Sequence, residues 1–284
     1  MSHRGACAAL LCVMFLGPRG VAHGPPSIKD VMRRVGAYVD SYGERAGIVV
    51  ATERYTQETK GNTRAEHRER KIVSEFAIVK VDAVTGWVGF RDVIEVDGRP
   101  LPDREDRLVR SLKQGGGGYV EARRLSDESA RFNIGIIQRN FNVPTTTLFF
   151  FKSENADRFK FSAKNVEKDG TWVIDWRETY HPTLIRTPDG ASVPAEGTLW
   201  VDPTDGTILR TLLKTSLHPG NSRVQRGNGR VDVEYRFVEA LGMWLPSMMD
   251  EEWRADAPGN VWEHVQGHAV YSNYRQFTTS VRIK

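Results

Sequence analysis

Chemistry in this chain would have to come from its histidines, its carboxylates or its aromatic side chains. His264 and His268 have the four-residue spacing that brings two imidazoles onto one metal when they lie on a helix. The run Trp262–His268 instead alternates as a strand, and at ~3.3 Å per residue the pair stands about 13 Å apart, too far to share an ion. His181 precedes Pro182 at the end of a strand-like run and reads as a turn residue. No glycine-flanked serine follows a strand, so the nucleophile elbow of many hydrolases is missing. Asp and Glu are plentiful, but no pair stands apart from the solvated background. Two carboxylates meeting in a cleft would make a hydrolase, and that alternative stays open. Gly115–Gly118 lacks the Lys-Ser/Thr of a phosphate loop and reads as a joint between helices. No catalytic residue, metal ligand or cofactor is therefore assigned, and an enzyme is not the expectation.

The aromatics say more. In Thr171–Tyr180, Trp172, Ile174, Trp176 and Tyr180 fall on one face of a strand; Phe159 and Phe161 share a face of the strand before it, and Trp200 lies in the run after. Large rings on neighbouring strands make either an ordinary core or the lining of an apolar cavity. Phe159, Phe161, Trp172, Ile174, Trp176 and Trp200 are the candidate ligand-lining residues.

These side chains must be placed by elements whose periods are readable. Ser27–Tyr42 carries Ile28, Val31, Met32, Val35, Tyr38, Val39 and Tyr42 at three- and four-residue spacing, with Ser27 and Asp30 as a capping box and Gly43 as a stop. The period then changes to two. Ile48–Thr56, Ile72–Val81 and Trp87–Val96 read as three consecutive antiparallel strands. A helical insertion at about 103–151 contains the stretches Asp103–Lys113 and Tyr119–Phe132. From Arg158 onward the pattern is β: Phe159–Val166, Thr171–Tyr180, Glu196–Asp202, Ile208–Leu217, Arg230–Val238, Met243–Arg254 and Val261–Phe277. Lys168-Asp169-Gly170, Asp205-Gly206 and Asn228-Gly229 read as the turns between them. Strands grouped in meanders instead of alternating with helices indicate α+β. The expected architecture is a curved antiparallel sheet, an unclosed half-barrel, with the N-terminal helix and the helical insertion packed on its concave face.

Composition fits an ordinary globular chain: 284 residues, 39% hydrophobic, 10% aromatic and 27% charged, with a formal net charge of +4. That near-balance offers no electrostatic footprint for nucleic acid. Residues 1–22 have the layout of a secretory signal peptide. Arg4 precedes an apolar run from Ala6 to Leu16, and Gly20-Val21-Ala22 supplies the small residues of a cleavage site. The run is too short for a membrane span, which needs ~20 residues. Cleavage near Ala22 would remove both cysteines, Cys7 and Cys12. The expectation is a periplasmic or secreted protein folded as a single domain over 23–284.

Gly197-Thr198-Leu199-Trp200-Val201-Asp202-Pro203-Thr204-Asp205-Gly206-Thr207-Ile208-Leu209-Arg210 resembles a hairpin of periplasmic lipoprotein carriers and their LolA-like, LolB-like and RseB-like relatives. In these a strand ending in aromatic-x-Asp-Pro turns through Gly into the next strand. The order of elements is similar too. Gly86–Gly98 and Arg186–Gly190 look like segments of a group of uncharacterised exported bacterial proteins. The resemblance implies an unclosed barrel whose concave face, covered by helices, holds acyl chains. The functional expectation is non-catalytic binding of an apolar ligand, with a lipid or lipoprotein acyl chain as partner. The alternative is a cell-envelope interaction or sensor domain whose cavity is filled by its own side chains.

Overall fold

The computed structural model describes residues 26–62, 67–81, 86–104, 107–108, 118–136, 139, 142–187, 190–217 and 226–277. The signal-peptide reading, both cysteines, Gly115–Gly117 and most of Asp103–Lys113 lie outside them.

Helix α1 (Ile28–Ala46) opens with the capping box its sequence predicts: Asp30 N donates to Ser27 Oγ, and Asp30 Oδ2 accepts from Ser27 N. It does not stop at Gly43. That residue sits inside the helix because Trp87 lies on it, so that a Cβ there would come within 2.4 Å of the indole. Gly47, at φ +56°, ends the helix one turn later.

Eleven strands form one antiparallel sheet. The first group is β1 (Ile48–Gly61), β2 (His67–Val81), β3 (Gly86–Val96) and the two-residue β4 (Arg99–Pro100). The second is β5 (Phe159–Val166), β6 (Trp172–Glu178), β7 (Ala195–Val201), β8 (Ile208–Leu217), β9 (Arg226–Val238), β10 (Met243–Ala257) and β11 (Val261–Phe277). Each group is a meander, and β1 pairs with β11 to join them, giving the order β4-β3-β2-β1-β11-β10-β9-β8-β7-β6-β5. The edges, β4 and β5, do not meet, so the sheet is unclosed. It is nevertheless strongly curved. At ~4.8 Å per strand, β3 and β5 would lie about 43 Å apart if it were flat, yet α1 touches β2, β3 and β5.

The α+β expectation is corrected by this architecture. Among the described residues the other α-helical segments are short, α2 (Gly118–Ala130), the five-residue α3 (Thr146–Phe150) and residues 107–108, so the protein is mostly β. The insertion also fails to pack as a whole on the concave face. Leu125 of α2, together with Leu108, covers the opposite face of β1–β3, where Ile48, Val50, Ala77, Val79 and Phe90 form a second core. The physical reason is in the strands themselves: β1 and β2 are apolar on both sides over this stretch, so both sides need a cover. Asp92, fully buried on β3, holds the cover down by accepting from Arg104 (2.9 Å) and Arg107.

Asn228-Gly229 is not a turn. Both residues lie within β9, and Gly229 is the surface on which the Trp253 ring rests, 2.0 Å from where a Cβ would stand. The Asp205-Gly206 turn is as read, and its role is docking. Gly206, at φ +83°, abuts the backbone of Arg34 and Val35, and Arg34 Nη1 donates to Pro203 O. The hairpin between β7 and β8 thus fixes α1 across the sheet.

Candidate functional site

The inner face of the sheet has an apolar end and a polar end. At the apolar end, β5 and β6 present Phe159, Phe161, Ile174 and Trp176 toward α1, α3 and the short 3-10 turn Ser153–Arg158. Phe150 and Phe151 descend from α3 into the same cluster. Trp176 is edge-on to Phe151, Phe159 and Phe150, with centroids at 5.3, 5.7 and 6.0 Å. Phe151 is tilted against Phe161 at 6.1 Å. These rings fill one another's space, and Trp176 and Ile174 are core.

Beside them a cleft of about 510 Å³ remains open between the first half of α1 and the start of β5. Ile28, Met32 and Gly36 line it from the helix, Phe159 and Phe161 from the strand, and Phe151 and Ala156 from the connection. Gly36 sets its width, because a Cβ there would come within 2.7 Å of Ser153 Oγ. Lys29, Arg33, Asp30 and Asp157 form the polar rim. The hydrogen bonds from the Ser27 side chain and backbone hold the Asp30 carboxyl below its ordinary range. The volume lies within the ~300–1,000 Å³ typical of small-ligand sites.

The six sequence candidates divide. Phe159 and Phe161 line the cleft, Trp176 and Ile174 support it from beneath, and Trp172 is half-buried at the other end of β6. Trp200 is on the opposite face. It stands in register with Val173 and Arg210, lies under the Arg210 guanidinium at 4.7 Å, and donates Nε1–H to Glu167. Met32 and Ile28 went unrecognised as lining because the helical stripe marks only which residues face the sheet, not which of them meet a gap.

At the polar end, β1, β3, β10 and β11 turn Glu53, Tyr55, Gln57, Arg91, Glu251 and Tyr271 inward, all buried. Arg91 Nη2 donates to Glu53 (2.7 Å), and its guanidinium lies 5.1 Å from the Tyr55 ring centre. Tyr271 donates to Glu53 (2.7 Å), and Tyr55 to Glu251. Burial, and next the neighbouring carboxylates, push both phenols well above their ordinary range. His264 and His268, both on β11, are hydrogen-bonded to different carboxylates: Glu252 at 3.0 Å and Asp250 at 2.7 Å. Among the described residues no group of three or more His, Cys, Asp or Glu side chains is placed to hold a metal ion. No described helix is long and apolar enough to cross a membrane.

This geometry defines a class, a curved unclosed sheet around one helix with an apolar cleft at one end. The chain matches no protein-family model and no curated protein. Three solved structures show a distant likeness. A DUF1329 family protein from Desulfovibrio piger ATCC 29098 is 11% identical, with 90% of this chain and 97% of that one covered and a TM-score of 0.36. A structure of lipid–protein interactions in lipovitellin is 10% identical over 82% of this chain and 26% of that one, at a TM-score of 0.31. The S-type phycobiliprotein lyase CPES from Guillardia theta is 9% identical over 90% and 100% of the two chains, at 0.23. Likenesses of this size carry no argument about activity.

Proposed function

We propose that this protein is an exported, non-catalytic binder of an apolar ligand of acyl-chain character, held between α1 and β5. The observation that carries the reading is the 510 Å³ cleft with Ile28, Met32, Phe151, Phe159 and Phe161 on its walls. Its mechanism is burial, worth ~25 cal/mol per Å² of apolar ligand surface removed from water. The carrier-like hairpin Gly197–Arg210 supports it further, since that hairpin docks on α1 at Arg34 and Val35, beside the cleft residues Met32 and Gly36. The alternative, a cell-envelope interaction domain with a self-filled core, draws on the packing of Trp176, which is buried against Phe151 and Phe159.

The test is binding of a fluorescent fatty-acid probe to the wild type and to Met32→Trp, which fills the cleft from the helix side and leaves every residue of the ring cluster unsubstituted. The reading expects saturable binding to the wild type and a loss of at least tenfold in Met32→Trp. Unchanged binding in Met32→Trp, or none in the wild type, overturns it.

A further inference from the structure

At the polar end of the interior, the stretch following α2 enters the sheet with a side chain that looks like a bound ligand. Arg139 is 1% exposed. Its guanidinium donates to Glu251 Oε1 through Nη1, and to Gln57 Oε1 (2.7 Å) and Ile134 O (2.6 Å) through Nη2. Asn142 follows it in, donating to Tyr55 Oη at 3.2 Å and accepting from Arg91 at 3.2 Å. The backbone of the same stretch is held by side chains: Ile134 N donates to Gln57 Oε1 (3.1 Å) and Ile136 N to Glu263 Oε1 (2.6 Å). Gly135, at φ +107°, lies where a Cβ would strike Glu263 and Val265.

Two features separate this arrangement from an ordinary core. Its anchors are polar and charged, and buried ion pairs of this kind are seldom more stable than the apolar packing that could replace them. The receiving site also keeps bonding capacity that the inserted residues do not use: Glu251 Oε2, Glu53 Oε2 and Gln57 Nε2 are buried without a protein partner, as is Nε of the inserted Arg139 itself. Most buried polar groups are satisfied, so three orphans on the residues of one buried site mark a site made for more donors and acceptors than it now holds.

We propose that Glu251, Gln57 and Tyr55, with Glu53 behind them, form a binding site for a guanidinium group, and that Arg139 occupies it in cis. A ligand bearing a guanidinium, whether a small free cation or an arginine side chain of a peptide, displaces the stretch that carries Arg139. This site is independent of the apolar cleft, which lies at the other end of the interior.

Arg139→Ala in the full chain vacates the site, and methylguanidine at low millimolar concentration, far below denaturing levels, is the probe. The expected result is a rise in melting temperature of about 2 °C or more with methylguanidine. Methylammonium at equal ionic strength gives none, and neither does methylguanidine with Arg139→Ala/Glu251→Gln. A short blocked arginine peptide stabilising Arg139→Ala better than methylguanidine points to a peptide source; the reverse points to a small cation. A folded Arg139→Ala that does not distinguish methylguanidine from methylammonium overturns the proposal. Hydrogen exchange of the wild type decides independently of how that variant folds. The Ile134 and Ile136 amides should exchange through a local opening and faster when methylguanidine is present. Exchange only through global unfolding, unaffected by methylguanidine, overturns the proposal as well.

Discussion

Replacing Trp176 with alanine tests whether the aromatic cluster is core or ligand lining. The indole is 2% exposed and meets three phenyl rings at 5.3–6.0 Å. Truncating such a residue costs ~3–5 kcal/mol, as transfer free energy plus the cavity left behind. Against a domain stability of ~5–15 kcal/mol this is a large fraction, and the variant should sit near its folding threshold. Trp176→Phe should behave differently. The indole Nε1 is buried with no acceptor, and leaving such a donor unsatisfied costs ~1–3 kcal/mol. Removing it offsets much of the lost volume, so Trp176→Phe should cost no more than about 1.5 kcal/mol. Urea unfolding followed by far-ultraviolet circular dichroism, with an unchanged m-value, measures both. The reasoning is refuted if Trp176→Ala costs under about 1.5 kcal/mol, or if the two variants are equally destabilised.

Gly206→Ala should cost ~1–3 kcal/mol, because the residue has φ +83° and its Cβ would press within 2.3–2.6 Å of the Arg34 and Val35 backbone. A drop of several degrees in melting temperature checks it. Asp92→Asn leaves Arg104 and Arg107 without their buried carboxylate; a loss of ~3–5 kcal/mol is expected, with limited proteolysis showing cleavage in α2 before the sheet. Tyr42, Tyr55 and Tyr271 have phenol pKa values raised by burial above the ordinary 10. A raised folded value means that their stabilisation is whole below the unfolded pKa and fades as pH rises past 10. Phenolate absorbance should therefore appear for these residues together with unfolding, and separate early titration of Tyr42, Tyr55 and Tyr271 would contradict their burial.

Much of the fold was legible from local pattern. The helix follows from its stripe and its Ser27–Asp30 cap as far as Tyr42, and the runs Phe159–Val166, Ile208–Leu217 and Val261–Phe277 coincide with β5, β8 and β11. Glycine was the residue most often misread. Gly43 and Gly229 signal a stop and a turn by type, yet each is required because an indole packs on it. That contact joins residues far apart in the chain and leaves no local trace. The candidate site was half legible: the aromatic faces of β5 and β6 were visible, while the helix side of the cleft and the whole polar end were not.

Alternation along a strand settles which of its own residues share a face, and to that extent the amino-acid sequence alone determined that Phe159 and Phe161 point together, as do Trp172, Ile174 and Trp176. It cannot relate one strand's faces to the next, because a shift of one residue in register exchanges them. Tertiary pairing decided this. Val201 stands opposite Trp172, so Trp200 stands opposite Val173 and goes to the outer face. The same holds for Glu53, Gln57 and Glu251. Each reads locally as an ordinary strand polar residue, and only the pairing of β1 with β11 and of β11 with β10, with Arg139 arriving from beyond α2, turns them into one buried cluster.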